Sequence, residues 1–163
     1  MRESRFERLY AEHAQRLFGF LLYRTGDRDL AEDLLADTFE SAFRARARFD
    51  PRRGSERAWL YAIALNRLRD DGRHRAAEAR ALERLAGGPA HEEDPRLVAV
   101  AEHDAVLPAL GRLRPEEREV VALRFGADLA LKEIAAALEV PRTTVEARLY
   151  RALRELREAL DEL

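Results

Sequence analysis

Along the chain, apolar residues recur every three or four positions in long stretches, and short breaks rich in Gly, Pro and charge separate them, which is the pattern of a helical protein. From Ser4 to Arg24 the residues Phe6, Leu9, Tyr10, His13, Leu17, Phe20 and Leu21 share one stripe, and Gly26 follows as a C-cap. His13 on that stripe reads as a packed core or boundary residue. Asp29 with Glu32 three positions later has the form of a capping box. A second helix then turns Ala31, Leu34, Leu35, Thr38, Phe39, Ala42 and Phe43 inward and Asp33, Asp37, Glu40 and Arg44 outward. Such a polar face alone means no more than solvation. The segment FDPRRGSE, residues 49–56, interrupts the pattern with Pro51 and Gly54, and Ser55 is placed to cap a third helix from Glu56 to about Arg75. Trp59, Leu60, Ile63, Ala64 and Leu68 supply its buried side, while Tyr61, Asn66, Arg67, Arg73 and Arg75 supply aromatic, amide and cationic groups, with burial in the core as the alternative for Tyr61. Rings, amides and guanidinium groups interleaved in this way suit single-stranded nucleic acid, where bases stack and phosphates are neutralised. Trp59 itself reads as core.

From Ala76 to Asp104 the periodicity fades, and AGGPAHEEDP is loop-forming. His91, Glu92, Glu93 and Asp94 lie side by side there, a poor arrangement for converging on one metal ion, so neither a metal nor a cofactor is expected. Beyond it Leu107, Leu110 and Leu113 mark a short helix. Pro115 opens the next, with Glu116 and Glu117 in a first turn whose dipole favours negative charge, and Val120, Val121, Leu123 and Phe125 carry it toward Gly126. The stretch Leu131 to Leu156 then reads as two helices with a sharp break. Ile134, Ala135 and Leu138 face inward in the first, and Pro141, lacking an N–H, belongs at the start of the second. Val145, Leu149, Ala152, Leu153 and Leu156 form the inner stripe of that second helix. Its outer face carries Arg142, Thr143, Thr144, Glu146, Ala147, Arg148 and Arg151, a set able to meet base edges and phosphates in a major groove. An ordinary helical hairpin with a solvated face has the same local pattern.

Charge distribution changes the picture. The 163 residues carry a formal net charge of -2, which would disfavour nucleic acid if it were uniform. It is not uniform: residues 42–75 hold +6, residues 76–104 hold -4, and residues 140–157 hold +3. Two basic patches separated by an acidic tract suit contact with DNA at two places. There is no cysteine, hence no disulfide framework or thiolate metal site. No apolar run approaches spanning length and no signal peptide is evident, so the cytoplasm is the expected compartment and membrane insertion is not expected. With no strand candidate, the expected fold is all-α: two small helical domains joined by a flexible linker, the C-terminal one containing a helix-turn-helix.

In this order the motifs resemble the extracytoplasmic-function (ECF) sigma factors of bacterial RNA polymerase. AEDLLADTFESAFR, residues 31–44, resembles the polymerase-binding helix of region 2, and AWLYAIALNRLRDDGR, residues 58–73, its promoter-melting helix. LRPEEREVVALRF followed by KEIAAALEVPRTTVEARLYRAL resembles region 4. The resemblance implies region 2 at residues 1–78, an acidic linker at 79–104 passing near the RNA path, and region 4 at 105–163. It implies a dissociable specificity subunit, not an enzyme, with core RNA polymerase (clamp helices and flap) and promoter DNA as partners and an anti-sigma factor as a candidate third. Asp33, Asp37, Glu40 and Arg44 would face the clamp helices. Arg52, Arg53, Tyr61, Asn66, Arg67 and Arg73 would serve the minus-10 element, with the loop Phe49 to Glu56 taking a flipped base. Arg142, Thr143, Thr144, Glu146, Ala147, Arg148 and Arg151 would read the minus-35 duplex. Ala36 replaces the family's usual Gln, Leu65 a common basic residue, Glu139 the usual turn Gly, and Glu146 a common Lys or Arg. The alternative is a free-standing helix-turn-helix regulator whose N-terminal helices sense a ligand or dimerise. A helical protein whose basic faces bind an acidic partner is a further one.

Overall fold

A computed structural model describes residues 1–86 and 106–161, with the side chains of 1–85 and 109–161, and every regular element among them is helical. Helix α1, Glu3–Thr25, stops where Gly26 turns left-handed at φ 65 and gives its N–H to the Leu22 carbonyl at 2.9 Å. Helix α2, Arg28–Ala45, begins earlier than the expected capping box. Asp27 is the N-cap, its carboxylate accepting the Leu30 N–H at 3.1 Å, and Asp29 instead lies in the first turn, where its charge suits the dipole. A single 3-10 turn, Arg46–Arg48, leads to the loop before α3, Glu56–Ala86. Ser55 caps α3 as expected, accepting the Ala58 N–H at 3.1 Å.

Helix α3 runs on past Arg75 to Ala86, through residues expected to be linker. Residues 76–82 are exposed, so no apolar stripe is required of them, and AAEARALERLA is rich in strong helix formers. Periodicity disappeared there because burial did, while the helix continued on propensity. The rest of the expected linker, residues 87–104 with His91, Glu92, Glu93 and Asp94, lies outside the described residues.

The second half consists of α4, Val106–Arg112; α5, Pro115–Val121; a π turn, Ala122–Gly126; α6, Leu131–Leu138; and α7, Arg142–Asp161. The helix opened by Pro115 thus widens into the π turn instead of continuing to Gly126. The left-handed corner residue is Asp128, φ 54. Between α6 and α7, Glu139 is left-handed as well, at φ 56 and ψ 40, so the position where the family uses glycine keeps its backbone shape at a cost of about 1 kcal/mol. The Val140 N–H returns to the Ala135 carbonyl at 3.1 Å and closes the turn.

Leu9, Leu17, Phe20, Leu21, Leu34, Phe39, Leu60 and Leu65 form the core of α1–α3, and Leu123, Leu129, Ile134 and Leu138 belong to the same buried cluster. The apolar face of α6 is therefore covered in part by α3. A smaller cluster of Leu113, Val121 and Ala152 seats α7 on the helices before it. Leu153, expected in the inner stripe of α7, is instead 45% exposed. No described helix is long and apolar enough to cross a membrane.

Candidate polymerase and nucleic-acid interfaces

The inner face of α2 is fixed by burial of Ala31, Leu34, Thr38, Phe39 and Ala42, with the Thr38 hydroxyl donating to the Leu34 carbonyl at 2.6 Å. That rotation leaves Asp33, Asp37, Glu40 and Arg44 exposed, as the sequence suggested. Arg44 donates to Glu40 at 2.5 Å across one turn. Ser41, on the edge of this face, gives its hydroxyl proton to the Asp37 carbonyl at 2.7 Å and receives Arg67 from α3 at 2.7 Å. The acidic face of α2 and the basic face of α3 are thereby tied at one residue.

In the loop ahead of α3, the Phe49 ring packs on Trp59 with centroids 5.3 Å apart, and Asp50 accepts both the Arg52 backbone N–H at 3.0 Å and its Nε at 3.1 Å. The hydrogen bonds from Arg52 hold the Asp50 carboxyl below its usual range. Arg52 and Arg53 are exposed. A pocket of about 400 Å³ opens here between Phe49, Arg53, Ser55 and Trp59 of the loop and α3, and Glu133 and Ala136 of α6. Trp59 is half-buried and packs against the main buried cluster, so the reading of it as core holds in part.

Asn66, Arg67 and Arg73 are exposed on α3, Arg73 pairing with Asp70 and the Asn66 side-chain oxygen accepting from Arg69 at 3.1 Å. Tyr61 does not join them. It is fully buried against Phe20, ring centroids 5.3 Å apart, and burial pushes its hydroxyl up to about 12. This tyrosine is a core residue because its ring packs on Phe20 of α1 within the main buried cluster, so the buried face of α3 is wider than a single stripe.

On α7, Arg142, Thr143, Glu146 and Ala147 are exposed, and Thr144 and Arg148 are half-buried. Arg151 departs from the expected outer set. Its Nε donates to Glu117 Oε1 at 3.0 Å, and Glu117 is only 1% exposed. The other oxygen of Glu117 accepts the Arg114 N–H at 3.3 Å. One buried carboxylate thus caps α5 and anchors α7, and Arg151, expected among the DNA-facing residues, is paired within the protein while its side chain stays partly exposed. Glu117 was legible only as a first-turn acid. Glu133 does the equivalent at α6, accepting the Ala130 N–H at 2.9 Å. Burial works against its ionisation, but hydrogen bonds from Ser55 and Ala130 outweigh this and hold its carboxyl below the usual range.

A three-helix unit with an acidic helix face and a basic loop, followed by a helix-turn-helix, defines a transcription factor of the sigma type. The sigma-70 region 2 family model matches residues 9–78 and the sigma-70 region 4 model residues 109–158. The chain is 37% identical over 167 residues to the RNA polymerase sigma factor CarQ of Myxococcus xanthus, spanning 99% of this chain and 92% of that protein. It is 30% identical over 156 residues to the ECF RNA polymerase sigma factor SigL of Mycobacterium tuberculosis, spanning 95% and 88%. Its fold is similar to that of RpoE from Bartonella quintana, solved in complex with the anti-sigma factor NepR, with a TM-score of 0.76 at 23% identity over 96% of each chain. The chain belongs to the ECF sigma factors of RNA polymerase.

Proposed function

We propose that this chain is a promoter-specificity subunit that binds core RNA polymerase through the acidic face of α2, reads minus-35 duplex through α7, and captures the opened minus-10 strand with the loop 49–56 and the outer face of α3. The observation that carries the reading is the pairing, in one chain, of region 2 and region 4 matches with two exposed basic surfaces, one before and along α3 and one on α7. Asp33, Asp37, Glu40 and Arg44 face the polymerase clamp helices, and region 4 lies against the flap. Arg52, Arg53, Asn66, Arg67 and Arg73 serve the minus-10 strand; Arg142, Thr143, Thr144, Glu146, Ala147 and Arg148 serve the minus-35 duplex. Unpairing costs a few kcal/mol per base, so capture of extruded bases is an adequate means of opening. The factor itself performs no chemistry, which stays with the polymerase. It works in the cytoplasm. A protein of the class that holds RpoE, an anti-sigma factor, is the natural antagonist.

The test is in vitro transcription with core polymerase. The double variant Asn66→Ala, Arg67→Ala is expected to lose activity on duplex promoters and regain most of it on templates carrying a preformed mismatch bubble, with circular dichroism unchanged. Equal defects on both templates would move these residues from strand opening to general binding or folding. Tight, sequence-specific operator binding by the isolated chain would favour a free-standing regulator instead.

A further inference from the structure

We propose that the last turns of α3 form a further DNA contact, in which a line of arginines grips the phosphates of the duplex just upstream of the minus-10 element. The proposal rests on the reading of the outer face of α3 as the minus-10 surface. Helix α3 continues to Ala86, beyond residue 78 where the region 2 match ends. At about 100° per residue, Asn66, Arg69, Arg73, Arg80 and Arg84 fall within about 60° of one another around the axis, so they form one stripe. Asn66 and Arg73 already belong to the minus-10 set. Arg80 and Arg84 prolong the stripe about 10 Å and about 16 Å beyond Arg73, at a rise of about 1.5 Å per residue. Between Arg73 and Arg80 the stripe holds Ala77, small enough to let a nucleic-acid backbone come close. Asp71 and Glu78 point elsewhere, paired with Arg75 at 2.9 Å and His74 at 3.2 Å, while Asp70 and Glu83 stand at the edges of the stripe. By count, residues 76–86 are neutral, two Arg against two Glu, so the cationic line emerges only once the helix separates the faces.

The fold makes little use of these cations. Arg80 and Arg84 are exposed, and the Arg80 side chain has no ion pair among the described residues. Arg84 donates from Nε to the Arg80 carbonyl at 3.2 Å, which lays its side chain along the helix. Arg69 with Arg73, and Arg80 with Arg84, are like charges one turn apart, an arrangement that works against the free helix and that an anionic partner relieves. Position identifies the partner. The region 4 match begins at residue 109, so the chain leaving Ala86 heads for the minus-35 element, and the end of α3 points upstream. There the DNA is still paired, with one negative charge per about 1.7 Å of axis, and the 16 Å of added stripe spans about five base pairs. Residues 76–86 contain no Asn, Gln, Ser or Thr to meet base edges, which suits a contact that adds affinity without reading sequence.

The test presents holoenzyme with forked templates from a promoter it transcribes, each lacking the minus-35 element and carrying a single-stranded minus-10 non-template strand. One fork keeps about ten base pairs of upstream duplex, roughly twice the span of the added stripe; in the other the duplex ends at the edge of the minus-10 element. Arg80→Ala with Arg84→Ala is expected to bind the long fork roughly tenfold more weakly, with a log–log salt slope lower by about one unit per arginine, and to bind the short fork as wild type does. Affinity for core polymerase and helicity by circular dichroism should be unchanged, because alanine favours an exposed helix. Arg80→Lys with Arg84→Lys should keep most of the affinity, since a point charge serves a phosphate, and the alanine loss should be the same for any upstream sequence. Wild-type binding of the long fork by the alanine variant would overturn the proposal. So would an equal loss on both forks, which would move the arginines to polymerase or to the fold. A loss that varies with upstream sequence, or that lysine does not prevent, would replace the phosphate contact with a base contact. The reading beneath fails separately: Asn66→Ala with Arg67→Ala binding the short fork as tightly as wild type would remove α3 from the minus-10 strand.

Discussion

Arg142 at the start of α7 donates from Nε to the Glu146 carboxylate at 2.7 Å, so an acid on the outer face of the recognition helix occupies a cation beside it. Both side chains are largely solvated, and such a pair contributes at most about 1 kcal/mol, which phosphate contact readily outbids. Glu146→Lys frees Arg142 and replaces an acceptor with a cation. The variant is expected to change or relax minus-35 preference and to steepen the salt dependence of DNA binding by about one unit of log–log slope. Transcription across a promoter library measures the first effect and a salt titration the second. An identical promoter profile would place Glu146 outside the groove.

Arg151 and Arg148 lie one turn apart on α7 yet should fail differently. Arg151→Ala leaves the buried Glu117 carboxylate without its charged partner, and the expected loss is about 2–3 kcal/mol of stability, below the full cost for a wholly buried pair because Arg151 is partly solvated. Denaturant unfolding reads it directly. Arg148→Ala should leave stability within about 0.5 kcal/mol of wild type and weaken minus-35 binding by about 1–3 kcal/mol if it makes a bidentate base contact. Wild-type unfolding of Arg151→Ala with lost minus-35 binding would return Arg151 to the groove.

Tyr61→Phe tests the core position of that ring. The hydroxyl is buried without a hydrogen-bond partner among the described residues, so its removal is expected to be neutral or to stabilise by up to about 1 kcal/mol, with strand opening unchanged. The sign of the pH effect follows from the raised value. Below pH 10 both folded and unfolded chains keep the proton; as pH rises from 10.0 toward about 12 the unfolded chain loses it first, so stability falls in that window. Tyr61→Phe should remove that part of the alkaline loss. A defect in promoter opening by the phenylalanine variant would contradict burial.

Charge reversal at Asp37 and Glu40 addresses the polymerase face. Both side chains are exposed, and among the described residues Glu40 is paired with Arg44 one turn away, so Asp37→Lys with Glu40→Lys should change stability by about 0.5 kcal/mol or less. Competition for core polymerase should nevertheless weaken markedly. Unchanged holoenzyme affinity would remove this face from the contact.

The sequence by itself determined whatever depends on a few neighbouring residues. Gly26 as a stop, Ser55 as a cap, Pro115 as a first helical residue and the break just before Pro141 are all settled within one turn of chain, and each stands where the pattern put it. The helical class and the two basic patches were legible for the same reason. Asp27 took the cap expected of Asp29 because both are good acceptors two positions apart and the turn after Gly26 chose between them. Tertiary structure alone decided which face of α3 is enclosed, and with it the burial of Tyr61. It also gave Arg151 a partner 34 residues earlier in the chain and set α6 against Ser55 and Arg57. Periodicity states that a residue faces inward or outward on its own helix; it contains no term for a second helix arriving from the far half of the chain. That arrival fixed how wide each buried face became and which charges were satisfied within the protein before any DNA or polymerase could reach them.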